Sequence, residues 1–115
     1  MIQADKDLLL KDLCCRLPYG VKASTKVGGN IKISFVGYDT IIGEDGDSYD
    51  ISFITPYLFP LSSMTDEQRK EWLYTLSSDY NITYDTIDWL NKNHFDYQGL
   101  IEKGLAIDAT GKNIY

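Results

Sequence analysis

Histidine is almost missing from this chain of 115 residues: there is one, His94. A nucleophile–base–acid relay has to use that residue or none. Cysteine is nearly as scarce, and the two present, Cys14 and Cys15, are adjacent. No second pair follows, which excludes a zinc site of the Cys-x-x-Cys type. A disulfide between neighbours would strain the peptide joining them. No Gly-x-Gly-x-x-Gly, no phosphate loop with its Gly-Lys-Ser/Thr and no Gly-x-Ser-x-Gly occurs, so the usual sequence marks of nucleotide and acyl chemistry are lacking. Long apolar runs are absent too, and nothing here is long enough to span a bilayer. Basic residues are outnumbered, 11 against 17, for a net charge of −6 and a pI near 4.5. That balance opposes the phosphate backbone of duplex DNA, which is not expected as a partner.

These absences together predict a protein that is not an enzyme, with no catalytic, cofactor-binding or metal-ligating residue. The opening "MIQADKDLLLKDL" is acidic and amphipathic and lacks the basic start and apolar stretch of a signal peptide. The expected location is the cytoplasm, with no membrane contact. The length suits one domain over residues 1–115.

What is present is strong local patterning. Residues 4–17 predict a helix with Leu9, Leu13 and Leu17 inward, Leu10 and Cys14 beside them, and Asp5, Lys6, Lys11 and Asp12 outward. One cysteine is expected to be buried and the other less so. Pro18 and Gly20 end the helix. From Gly20 the period becomes two. Val21, Ala23, Thr25 and Val27 share one face, then Ile31, Ile33 and Phe35, then Tyr49, Ile51 and Phe53, with turns at Gly28-Gly29-Asn30 and Asp45-Gly46. Residues 20–55 therefore predict four or five short strands in a small, strongly bent antiparallel sheet or an SH3-like barrel.

Residues 56–64, with two prolines and little period, predict an ordered connector. Residues 65–109 predict two or three short helices packed on the sheet. The first starts at a capping box of Thr65 and Gln68, shows Trp72, Leu73 and Leu76 inward and ends near Ser77. The second carries Ile87, Trp89 and Leu90. The third runs from about Tyr97 to Lys103, is capped by Asp96 and closes at a left-handed Gly104. The fold class is thus α+β.

Two segments, "LLLKDLCCRLPYGVK" (8–22) and "PYLFPLSSMTDEQRKE" (56–71), resemble uncharacterised small proteins of gut Bacteroidetes genomes and their phages and prophages. "DWLNKNHFDYQGLIEKGLAIDA" (88–109) is similar to the same group. The resemblance implies a bacterial, phage- or mobile-element setting and brings no activity or site residue.

Three groups of residues carry functional readings. His94 and Asp96 have the residue types of a base and its orienter, but a lone histidine at a helix end more often caps or packs, and that is the expectation here. "GEDGDSYD" (43–50) matches a calcium loop at too few positions, and a hairpin turn accounts for it. Nine tyrosines exceed what a core of this size needs, and tyrosine favours interfaces. Tyr97, Tyr115 and Tyr38 are the candidate partner-binding residues. The leading expectation is therefore a non-enzymatic protein–protein interaction module, its partner a bacterial host protein, with the binding face on the acidic C-terminal half. Residues 61–115 hold five bases against nine acids, a net of −4. The alternative is a small β-barrel that binds single-stranded nucleic acid through a stripe of Lys22, Lys26 and Lys32.

Overall fold

The computed structural model describes residues 2–26, 28–75 and 84–115. Helix α1, Gln3–Arg16, lies where its period predicts. Its inward face is Leu9, Asp12, Leu13 and Arg16, all buried, an i, i+3, i+4, i+7 stripe. The helix is therefore rotated from the expected setting, in which Asp12 pointed outward. Leu10 and Leu17 are only half-buried, and Cys14 and Cys15 are both exposed. The reason is an ion pair. Arg16 Nε donates to Asp12 at 2.7 Å with both side chains fully buried, and a charge taken out of water must carry its partner with it.

Among the described residues seven strands follow: β1 (Lys22–Thr25), β2 (Asn30–Val36), β3 (Thr40–Gly43), β4 (Ser48–Asp50), β5 (Ile54–Pro60), β6 (Phe95–Asp96) and β7 (Ile107–Asp108). The order is β4-β3-β2-β1-β5-β6, with β7 also on β5. The first five pair antiparallel, while β6 and β7 run parallel to β5. The sheet is mixed, not purely antiparallel. Among the described residues no ladder joins β4 to β6, so an SH3-like closure is not established.

Strand β5 occupies most of the segment expected to be a connector. Ile54, Pro56, Tyr57 and Leu58 are buried. A strand buried without alternation carries no period-two signal, and its prolines argued against a strand. Phe35 and Phe53, expected inside, are 51% and 43% exposed. In β2 the pairing steps from Ile33↔Gly43 to Phe35↔Ile42. This is a bulge at Ser34, which turns Val36 toward the core and Phe35 out. Ser34 Oγ donates toward the carbonyls of Ile42 and Gly43 (3.1 and 3.2 Å). Phe53 loses its phase because Ile51–Phe53 is a 3₁₀ turn, N-capped by Asp50, whose carboxylate accepts from Ser52 N at 2.9 Å. Val27 lies outside the described residues.

Helix α2, Asp66–Leu73, has the full Thr65/Gln68 capping box. Trp72 on it is half-buried and Leu73 exposed. The expected inward Leu76 and helix end near Ser77 lie outside the described residues. Helix α3 is Tyr84–Lys92, with Trp89 and Leu90 buried. The third expected helix is a single turn over residues 100–104. Its closure is nonetheless the Schellman pattern: Leu105 N donates to Leu100 O at 2.9 Å, Gly104 N to Ile101 O at 3.1 Å, and Gly104 has φ +74°. Asp96 caps it by accepting from the N–H groups of Gln98, Leu100 and Ile101.

The main core joins Leu9 and Leu13 to Val21, Ile33, Ile41, Leu58, Leu100 and Leu105. A second cluster gathers Trp89, Leu90 and Phe95 with Phe59 and Trp72 against it. Among the described residues no helix is long and apolar enough to cross a membrane.

Candidate interaction surface

Chain reversal after α3 places the lone histidine. His94 has φ +63°, a left-handed setting that glycine takes more cheaply. Its N–H donates to Asn91 O and its carbonyl accepts from Phe59 N at 2.8 Å. The ring lies against Tyr115, with centroids 3.6 Å apart and planes 11° from parallel. Burial, then the charges of Arg16 and Lys22, lower the imidazole pKa to about 4, so it is neutral at pH 7. Its Nδ1 is buried with no hydrogen-bond partner. Asp96, the residue that could orient a base, spends its carboxylate on three backbone N–H groups. The pair has the ingredients of general-base chemistry without the geometry.

Tyr115 and Tyr97, expected to await a partner, are engaged internally. The Tyr115 hydroxyl accepts from Lys22 N at 2.8 Å and donates to Tyr57 O at 2.8 Å. The last β1–β5 pair is Ala23↔Pro56, so the hydroxyl stands in for the next rung of the ladder. Burial raises its pKa to about 12. Tyr97 donates to Asn91 Oδ1 at 2.9 Å and carries the Arg16 guanidinium over its ring at 5.3 Å. Burial raises its pKa too. Arg16 also donates from Nη2 to Phe95 O at 2.7 Å, and Asp12 accepts from Gln98 Nε2 at 2.9 Å. This network binds α1 to the C-terminal segment.

Each of the three lysines has a neighbour within the molecule. Lys22 and Lys32 are cross-strand partners on β1 and β2. Lys22 Nζ donates to Ile114 O at 2.9 Å, however, and Lys32 lies 3.4 Å from Glu44. Lys26 sits 5.6 Å over the ring of Phe53.

Tyr38 differs. It is 84% exposed, in the loop between β2 and β3. With Gly37 and the outer side of α1 it bounds an open, largely apolar hollow of about 670 Å³, lined by Asp7, Leu8, Leu10, Lys11, Cys14 and Cys15. Phe35 extends this surface, because the bulge aims it outward and its ring lies over Gly37. The sequence gives no sign of this grouping, since a bulge and a helix rotation create it. Among the described residues no group of three or more His, Cys, Asp or Glu side chains is arranged to hold a metal ion.

Comparison with known proteins gives no match: no family model, no curated protein and no solved structure is similar to this chain.

Proposed function

We infer that the protein is a non-enzymatic protein–protein interaction module that engages its partner through the face formed by Tyr38, Phe35 and the outer side of α1. The observation that carries this reading is the contrast among the tyrosines. Tyr97 and Tyr115 spend their hydroxyls inside the molecule, while Tyr38 projects from the edge of an apolar hollow. An exposed aromatic beside half-buried leucines is the composition of an interface centre. The partner is proposed to be a protein of a bacterial host, the setting implied by the resemblance to small Bacteroidetes and phage proteins. The binding face shifts from the acidic C-terminal half to α1 and the β2–β3 loop.

The alternative, single-stranded nucleic acid held on Lys22, Lys26 and Lys32, draws support from the cross-strand pairing of Lys22 with Lys32. It is weakened by the internal partners of both. Affinity capture from a bacterial lysate separates the two readings. A protein recovered by the wild-type chain should be lost with Phe35→Glu/Tyr38→Glu and kept with Lys22→Glu/Lys32→Glu. Binding of single-stranded DNA that follows the opposite pattern would replace the first reading with the second.

A further inference from the structure

The geometry points to a second site in the same hollow: Cys14 and Cys15 form a vicinal dithiol that captures a trivalent thiophilic metalloid of the arsenous acid class. Both thiols are free and exposed, and both line one cavity with Leu10, Lys11 and Tyr38. They cannot relieve each other by forming a disulfide while α1 stays intact. Consecutive Cα atoms are about 3.8 Å apart across a trans peptide, short of the roughly 4.4–6.8 Å of ordinary disulfides. Closing that ring would mean unwinding the last turn of α1. That turn carries Arg16, fully buried on Asp12 and on the carbonyl of Phe95.

A bridge through one intervening atom relaxes this constraint, because the two sulfurs no longer have to reach bonding distance. Arsenous acid supplies that atom. Two As–OH groups leave as water, taking the two thiol protons, and two As–S bonds form. Arsenic stays trivalent, and nothing is oxidised or reduced. The third substituent then faces Lys11 and Tyr38: a hydroxyl meets the ammonium, or an organic group lies on Leu10 and the Tyr38 ring. The site uses residues of the hollow, but it does not depend on the hollow being a protein-docking face.

The test uses the full chain, reduced, with phenylarsine oxide as the probe and arsenite as competitor. Intact mass and thiol titration should show one equivalent of probe consuming both thiols, with far-UV circular dichroism unchanged. Cys14→Ser and Cys15→Ser should each bind at least roughly 100-fold more weakly, because the second bond is gained intramolecularly. Arsenite should displace the probe from the wild-type chain. The proposal is overturned if either single variant binds as tightly as the wild type, if two equivalents bind independently, or if capture unwinds α1.

Discussion

His94 lies flat against Tyr115, with ring centroids 3.6 Å apart, and this contact explains a non-glycine residue at φ +63°. The left-handed backbone costs roughly 1–2 kcal/mol, and an aromatic pair returns about 0.5–1.5 kcal/mol beyond area. His94→Ala removes the stack and keeps the strain. His94→Gly removes both. The glycine variant should therefore be more stable than the alanine variant by about 1 kcal/mol, measured by urea denaturation at pH 7. An alanine variant equal to wild type would show that the stack contributes nothing.

The same residue sets an acid limit. Its folded pKa of about 4 lies below the ordinary 6.5, so the unfolded chain takes up the proton first. Its contribution to stability is complete above pH 6.5 and is lost as the pH falls toward 4. Carboxylates titrate in wild type and His94→Gly alike. Wild type should thus lose more stability than the variant across that window, and parallel curves would contradict the assignment.

Tyr115 sets an alkaline limit. Its folded pKa is raised from 10.0 to about 12, so the unfolded chain ionises first and stability falls as the pH rises through that interval. Tyr115→Phe should flatten the fall. At neutral pH it should cost about 1 kcal/mol, since Lys22 N–H and the Tyr57 carbonyl lose their shared partner. An unchanged stability at neutral pH would mean that water replaces the hydroxyl, and an unchanged alkaline fall would mean that its pKa is not raised in the folded chain.

Asp12 and Arg16 should behave as a unit. Removing either charge alone leaves the other buried and should cost about 3–5 kcal/mol. Asp12→Leu/Arg16→Met should be less harmful than the two single costs summed. A double-mutant cycle measures the coupling, and additive costs would show that the two charges are solvated independently.

Phe95 is 2% exposed, stacked on Trp89 at 5.8 Å and tilted on Phe59 at 6.1 Å. Phe95→Ala should cost about 3–5 kcal/mol, more than Asp96→Ala, whose lost cap costs about 0.5–2 kcal/mol. Thermal melts of the two variants check this order.

What the sequence makes legible is what nearby residues decide. Thr65 with Gln68, Gly104 with Leu105 and the glycines of the first hairpin each settle their geometry within a few positions, and each appears as read. The missed features join distant residues. Asp12 reads as a solvent-facing acid until Gln98, 86 positions on, donates to it. Strand β5 reads as a connector because its pairing residues come from β1, β6 and β7. The tyrosine surplus is visible from composition. Which tyrosines spend their hydroxyls internally is not, because the hydroxyl of Tyr115 is used by Tyr57, 58 positions away. Ser34 gives no local warning that it will carry a bulge, so the outward turn of Phe35 is also invisible.

The reach of Arg16 has a consequence for biosynthesis. Its guanidinium is shielded by the carbonyl of Phe95, 79 positions later, and β5 gains β7 only at Ile107 and Asp108. A nascent chain that has reached residue 60 has α1 and five strands in hand, but a permanent cation with nowhere dry to go. The ribosome adds about 5–20 residues each second, so that half-built state persists for seconds. Through that interval α1 must keep its charged face in water, and its leucines stay unsealed. The fold is expected to close after residue 108 emerges, not segment by segment during translation.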